Sequence, residues 1–317
     1  MSIRIDNRAR FSNDQLAAMS EGMDRMSCPA SLEVVICDDF VSEVRNLLSS
    51  ATYDTVRGTN VVAAKTIPVS DDSQVIVVNA EPVRGLGLAQ LGRLLAHESG
   101  HALIHSRMEG HPDLDLRSPQ MGEQVLYALA TTALDEYRVE RAVYAQGFPL
   151  APEVDWPAAG QVATDVNLDV MEAVLDKANA NDVERLASDI AAVHNWSSKK
   201  MAYITAAVAA DAIPETVDVP KKHQADWADY LEGTWSHRLA AYRQAPDASS
   251  PASADQLRRI VAKLITVERH YLTAMGFFYR EYRNTWGFHR RKDNSLFDTR
   301  FERAARIVME RERADSE

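Results

Sequence analysis

The first 150 residues alternate between helical and strand-like patterns of apolar and polar positions. Helical stretches repeat apolar residues every three or four positions, and strands are short runs rich in β-branched residues. Capping residues, prolines and glycines mark where each element begins and ends. The predicted elements are a helix from Ser12 to before Pro29, a strand at 32–37, a helix at 40–50, strands at 61–69 and 75–79, a helix at 85–107, and a helix that opens at Ser118-Pro119 and stops at Gly147.

The second half of the chain predicts helices almost throughout. Residues 149–160 contain three prolines and indicate a linker. Breaks are expected at 213–220 and 246–254, and a long helix from near Asp255 is expected to bend at Gly276. We therefore expect an α+β domain with a small sheet over residues 1–150. An all-helical domain over residues 161–317 should follow it.

Arginines alternate with aromatic residues between positions 280 and 303, a mixture that also occurs in proteins that bind single-stranded nucleic acid. The same segment contains acidic residues, among them Glu281 and Asp298, so it does not form a basic face. We therefore expect the aromatic residues to pack as one face of an amphipathic helix and the charges to be solvated.

Composition and charge narrow the class of protein. The net charge of -11 argues against nucleic acid as the main partner, because phosphate binding needs a basic face. No apolar run approaches the ~20 residues of a membrane span, and no signal peptide is recognised at the N-terminus. Cys28 and Cys37 form neither a disulfide framework nor a CxxC zinc motif. We expect a cytoplasmic protein without a membrane partner.

Residues 97–101, HESGH, form an HExxH motif on the helix predicted at 85–107. Histidines four positions apart lie on one helix face, so His97 and His101 can reach the same metal ion. Glu98 stands beside the first histidine, where its carboxylate can contact a water on that ion. The motif falls on the apolar stripe of Leu91 and Leu95, where unpaired polar groups are costly. Two core histidines hydrogen-bonded to the backbone are the alternative, which leaves Glu98 unexplained.

A catalytic zinc ion usually takes a third protein ligand in addition to two histidines. The metzincin arrangement is excluded, because Ile104 and Arg107 stand where it has a glycine and a histidine. His105 lies too far along the same helix to share the ion. His111, just beyond the helix, stays an alternative.

The helix that follows carries two carboxylates within its apolar stripe. Glu136 and Glu140 share a helical face with Leu129 and Val143. Buried carboxylates need a cation or a histidine, and an antiparallel helix bearing HExxH offers both. We take Glu136 as the third ligand and Glu140 as the hydrogen-bond partner of a ligand histidine. Helical phase alone does not rank the two, and a pair of surface glutamates is the alternative. The side chains predicted to face solvent are Asp135, Arg138 and Arg141.

With these motifs, residues from about 31 to 147 resemble the zinc metallopeptidases called gluzincins. In that family HExxH is followed, on a later helix, by a ligand glutamate and often by an acidic residue four positions on. Residues 136–140 (EYRVE) fit, with Glu140 where Asp is common. The run VIVVN at 75–79 resembles the ImmA/IrrE-like branch. The resemblance implies a zincin-like fold for residues 1–150, with an edge strand there that pairs with the substrate backbone. It does not extend to the C-terminal half.

The resemblance also implies the chemistry. One zinc ion per chain, held by His97, His101 and Glu136, would activate a water molecule. Glu98 would act as the general base in hydrolysis of a peptide bond of a protein or peptide substrate. A non-catalytic regulatory or binding protein that keeps the zincin-like fold is the alternative, although such a protein has no need of a general base. Related enzymes often add a donor for the oxyanion, for which the candidates here are Tyr137, His194 and His237.

Overall fold

The computed structural model describes residues 4–27, 32–51, 53, 56–57, 60–70, 73–110, 114, 121–151, 153–282 and 285–314, which form a mixed α+β structure that is mostly helical. The strands are β1 (Arg4–Asn7), β2 (Leu32–Cys37), β3 (Val56–Arg57), β4 (Asn60–Val61), β5 (Ala64–Ser70), β6 (Ser73–Asn79), β7 (Phe277–Tyr282) and β8 (Thr285–Arg290). The helices are α1 (Asn13–Arg25), α2 (Phe40–Leu48), α3 (Ala80–Val83), α4 (Leu88–Ser106), α5 (Met121–Ala145), α6 (Trp156–Leu175), α7 (Val183–Ala209), α8 (Gln224–Tyr230), α9 (Glu232–Tyr242), α10 (Ala254–Met275) and α11 (Asn294–Ala314). None of these helices combines the length and apolar character that a membrane span requires.

A four-stranded sheet with the order β1-β2-β6-β5 forms the base of the N-terminal part. Strands β1, β2 and β6 are parallel, whereas β5 runs antiparallel to β6 at one edge. Alternate residues of β2 face opposite sides: Val34 and Ile36 pack towards α1 and α4, and Val35 packs towards α2. The run at 75–79, expected at an edge, lies in β6 between two strands, so the open edge beside α4 belongs to β5.

Helix α4 lies between the sheet and α5. Leu91 and Leu95 join the core that faces the sheet, while Ala96 and Ile104 pack in a second core with residues of α5. The two helices come very close at Gly100, where an added Cβ would lie 2.8 Å from Cγ1 of Val139 and 3.0 Å from its Cγ2. The glycine in the middle of HExxH therefore allows α5 to approach the motif.

Helix α5 is enclosed on several sides, because α7 and α10 pack against it as well as α4. The prediction that Arg138 faces solvent is wrong, since its side chain is fully buried. Arg138 binds the buried carboxylate of Glu109 at 2.5 Å, and Asp135 and Arg141 are partly buried. The division into domains at 1–150 and 161–317 stays a prediction, and α5 contributes to a core that also contains residues of α7 and α10.

Two segments differ from the sequence-based expectation. Residues 149–160 are not linker throughout, because Asp155 caps α6 and Trp156 begins it, with a proline at its first turn. The segment from 280 is not one amphipathic helix. Gly276 has a φ of 99° and ends α10, and its carbonyl accepts a hydrogen bond from the Arg291 amide that closes the β7-β8 hairpin. Only from Asn294 onwards is the segment helical.

Gly100→Ala should separate α4 from α5, because both methyl groups of Val139 obstruct the new Cβ. We expect a loss of about 1–3 kcal/mol in the free energy of unfolding, measured by urea denaturation. Gly100→Ala/Val139→Ala should recover part of it. Gly233→Ala is the control, since nothing lies within 4 Å of its Cβ position. Equal stability of the Gly100 and Gly233 variants would contradict the close approach.

Candidate metal centre

Helices α4 and α5 bring three ligand-type atoms together. Nε2 of His97 lies 3.2 Å from Nε2 of His101. Oε2 of Glu136 lies 3.3 Å from the first of these nitrogens and 3.4 Å from the second. His97 and Glu136 are buried, and His101 is partly exposed. The interpretation of 136 and 140 as surface glutamates is therefore wrong.

The size of this triangle suits a zinc ion. Four ligands at about 2.0–2.1 Å in tetrahedral arrangement lie roughly 3.3–3.4 Å from one another. The three observed separations match that edge length, and two imidazoles with one carboxylate are ligands that zinc prefers. Among the described residues, His97, His101 and Glu136 are the one group of three potential ligands that are close enough together to hold an ion. The residues present therefore fit a zinc site with one coordination position open to a water or substrate.

Glu140 lies one turn further along α5 and orients the first histidine. Its Oε1 is 2.7 Å from Nδ1 of His97, and its Oε2 accepts a hydrogen bond from Arg93 of α4. When Nδ1 donates to Glu140, the lone pair of Nε2 is directed at the centre of the triangle. Glu140 is fully buried, and Arg93 offsets its charge.

Glu98 is buried beside the cluster without belonging to it. The hydroxyl of Thr66 on β5 lies 2.7 Å from its Oε2 and 2.8 Å from its main-chain carbonyl oxygen. Glu98 is thus anchored to the edge strand, and it directly follows His97 in the chain.

Helix α7 contributes two residues that the sequence analysis did not identify. Tyr203 donates its hydroxyl hydrogen to Oε2 of Glu136 at 3.1 Å, and its ring meets the His97 ring edge-on. Nζ of Lys199, one turn earlier, lies 3.0 Å from Oε1 of Glu136. Their spacing of four residues puts both on one helix face, but nothing local to α7 shows that this face meets Glu136.

The three residues considered as oxyanion donors lie in other surroundings. Tyr137 stacks on Tyr242 and accepts a hydrogen bond from Arg141. His194 is buried against Glu268 in the C-terminal core, and His237 is exposed on α9. The tyrosine that contacts the cluster is Tyr203. His111, the alternative third ligand, and Ser118-Pro119 lie outside the described residues.

Burial and the neighbouring carboxylates shift the pKa of His97 in opposite directions. Burial is the largest influence and disfavours the imidazolium, but hydrogen bonds and charges from Glu136 and Glu140 together raise the pKa of His97 to about 10. Burial likewise opposes ionisation of Glu136, yet Lys199 and the histidines hold its pKa well below the usual range. Burial and the neighbouring Glu136 raise the pKa of Tyr203 well above its ordinary value, so its hydroxyl keeps its proton as a donor.

No family model, curated protein or solved structure matches the chain. The geometry of this cluster and the motifs that form it are therefore the evidence on the function of the chain.

The two glutamates of α5 should differ in their effect on zinc affinity. Glu136→Gln replaces a carboxylate ligand of the triangle with an amide, which is a weaker ligand, so we expect zinc affinity to fall more than 100-fold. Glu140→Gln removes a charge behind His97, for which a loss of about 10–100-fold is expected. Competition with a chromophoric chelator measures both values, and elemental analysis should find about one zinc per parent chain.

Gln124→Ala, exposed near the start of α5, is the control and should bind zinc like the parent. Asp135 was predicted to face solvent, but it is partly buried and is not a suitable control. Burial raises the pKa of its carboxyl group to about 8. A larger loss for Glu140→Gln than for Glu136→Gln would exchange the two roles.

Zinc affinity should rise with pH, because the ion must displace a proton from His97. With a His97 pKa of about 10, zinc binding should tighten about tenfold per pH unit between pH 7.5 and 9. The zinc-free protein should show the opposite trend. A folded pKa above the unfolded value of about 6.5 stabilises the fold fully below pH 6.5, and that contribution is lost as the pH rises towards 10. Glu140→Gln should reduce the pH dependence of both zinc affinity and zinc-free stability at the upper end of the pH range. A zinc affinity independent of pH would contradict protonation of His97.

Proposed function

We propose that the protein is a zinc-dependent metallopeptidase of the gluzincin type with a zincin-like fold. The observation that carries the proposal is the position of Glu98. The triangle of His97, His101 and Glu136 explains three polar side chains as ligands, but a purely structural zinc site needs no further buried carboxylate beside it. Glu98 makes no contact within the triangle and lies next to it in the chain, as a general base would.

Zinc bound at the triangle would lower the pKa of a coordinated water to about 7 and polarise the carbonyl of the scissile bond. The residues of the chain supply the rest. Glu98 accepts the proton that the attacking water loses and passes it to the leaving amine. His97 and His101 remain neutral ligands, and Glu140 holds the His97 ring in the required orientation.

The open edge of β5 suits an extended peptide. The Asn79 amide donates to the Ala63 carbonyl at 2.9 Å, so in this antiparallel pair residues 65 and 67 direct their main-chain groups towards β6. Ala64, Thr66 and Pro68 therefore face the open edge, and Pro68 lacks the N–H that an inner strand would need. A substrate strand can pair with the main chain of Ala64 and Thr66, beside Glu98.

Tyr203 is the group best placed to donate to the developing oxyanion. Its hydroxyl lies 3.1 Å from Oε2 of Glu136, the carboxylate oxygen directed at the two histidines. A donor this close to the ligand atoms reaches the position where charge accumulates on a carbonyl oxygen during attack, and such donors contribute about 2.7–4 kcal/mol in other hydrolases.

One observation favours a non-catalytic regulatory or binding protein instead. Lys199 binds Oε1 of Glu136 at 3.0 Å and offsets the charge of that carboxylate without a metal. A protein that keeps this ion pair permanently would retain the fold and the motif while leaving the triangle metal-free. Zinc binding and hydrolysis, measured together, separate the two functions.

Glu98→Gln should retain zinc and the fold but lose at least ~100-fold in hydrolysis, because the amide cannot accept a proton. A mixture of random-sequence peptides serves as substrate, and mass spectrometry detects new N-termini with and without a chelator. Glu232→Gln, an exposed carboxylate on α9, is the matched control and should leave the rate unchanged.

Two results would redirect the assignment. Full activity of Glu98→Gln would remove Glu98 as the base. A parent protein that binds zinc and cleaves neither the peptides nor labelled casein would support the binding protein, and one that binds no zinc would support a permanent Lys199 ion pair.

A further inference from the structure

We propose that Thr66 is a positioning residue, whose hydroxyl orients Glu98 and links the general base to the strand on which the peptide substrate lies. The inference rests on the proposed function. It concerns a residue outside HExxH and outside the ligand set, on a strand 32 positions away from Glu98 in sequence.

The contact restrains a carboxylate that is otherwise able to rotate. Glu98 has three side-chain torsions, and its final torsion is soft. The Thr66 hydroxyl, 2.7 Å from Oε2, holds one carboxylate oxygen against β5 and leaves Oε1 for the water. The same hydroxyl lies 2.8 Å from the Glu98 main-chain carbonyl oxygen, so its single hydrogen has two acceptors on one residue. Thr66 thus secures both the main chain and the side chain of Glu98.

Threonine at this position is chemically distinct from its neighbours. The strand beside it is built largely of valine and isoleucine, and Ile76 is the residue paired with Thr66 in the register. Valine would have the same β-branched shape and the same stiff first torsion. The hydroxyl in place of one methyl therefore has polar partners to meet, and these are the carboxylate and the main-chain carbonyl oxygen of Glu98.

Thr66 also belongs to the set of β5 residues whose main-chain N–H and C=O face the open edge. A peptide paired there would bond to the main chain of Thr66 while the Thr66 side chain bonds to Glu98. Substrate docking and base orientation then meet in one residue. We expect Thr66 to affect the turnover step more than substrate affinity, because the main-chain pairing does not depend on the side chain.

The test compares Thr66→Val, which removes only the hydroxyl, with Thr66→Ser, which keeps it. With the peptide that the parent cleaves fastest, Thr66→Val should lower kcat about tenfold, a part of the ~100-fold or greater contribution of a general base, and change KM less than twofold. Thr66→Ser should retain at least half of the parent kcat. In the Glu98→Ala background, Thr66→Val should cause no further loss. Val69→Ala, exposed on the same strand, is the control and should leave kcat unchanged.

A second readout needs no substrate and no metal. In the zinc-free protein, Thr66→Val should lower Tm by about 2 °C in the parent and by a smaller amount when Glu98 is alanine, because the carboxylate acceptor is then absent and only the main-chain carbonyl oxygen of residue 98 remains. Zinc affinity should stay within about threefold of the parent, since Thr66 contacts no ligand. If Thr66→Val does not fold, the pair Thr66→Ser and Thr66→Ala gives the same comparison.

Equal Tm shifts in the two backgrounds, an unchanged kcat, or a change confined to KM would overturn the role of Thr66. These results leave the proposed function intact, provided that Glu98→Gln still loses hydrolysis. If Glu98→Gln hydrolyses peptides like the parent, the proposed function fails, and the role of Thr66 as a positioning residue fails with it.

Discussion

Buried carboxylates that need positive partners determine how the helices meet at this site. Glu136 and Glu140 lie on one face of α5, at depths where an unpaired charge would cost several kcal/mol. Arg93 and His97 of α4 satisfy Glu140, and Lys199 of α7 together with the two histidines satisfies Glu136. The three helices cannot move apart without stranding one of these charges, so the site and the packing of the helices depend on each other.

The same requirement explains why the C-terminal half belongs to the site. Helix α4 supplies only imidazoles to Glu136. These balance the charge of its carboxylate when they carry a proton or hold a metal ion. Lys199 adds an ion-pair partner, and Tyr203 adds a donor that stays protonated. Both come from a helix that begins more than thirty residues after α5 ends. An N-terminal fragment ending near residue 150 would lack these partners and would expose the apolar face of α5 that α7 and α10 cover.

Local patterns were enough to predict much of the fold. The strand at Leu32–Cys37 and the Ser12 cap of α1 agree with the sequence, because each depends on neighbours a few residues away. The β7-β8 hairpin was not predicted, since Gly276 in a left-handed conformation stops a helix whose apolar period continues into aromatic residues. Periodicity also misplaced Arg138, because a charged side chain suggests solvent unless its partner is known. That partner, Glu109, is 29 positions away.

The residues of the site also divide into those that local sequence patterns predict and those that only the structure places there. His97, Glu98 and His101 are related by the pitch of a single helix, so their spacing in sequence is also their spacing in space. Glu136 and Glu140 could be inferred from carboxylates within an apolar stripe, which require a partner of opposite charge or a histidine. Lys199 and Tyr203 reach the cluster, and Thr66 reaches Glu98, only through tertiary packing. No pattern within their own strand or helix marks these contacts. Their roles follow from distances that no sequence pattern records.

Charge balance connects these residues to the proposed chemistry. In the metal-free site, the carboxylates of Glu136 and Glu140 face Arg93, Lys199 and the His97 imidazolium. A divalent ion bound in place of the His97 proton would add one positive charge at the triangle, where the Tyr203 hydroxyl contacts Glu136. In the proposed reaction that charge would stabilise the oxygen of the attacked carbonyl, and Glu98 would take up the proton. With the proposed metal bound, such a site would stabilise charge separation between the attacked carbonyl and the base more than it stabilises a neutral peptide, which the proposed catalysis requires and binding alone does not.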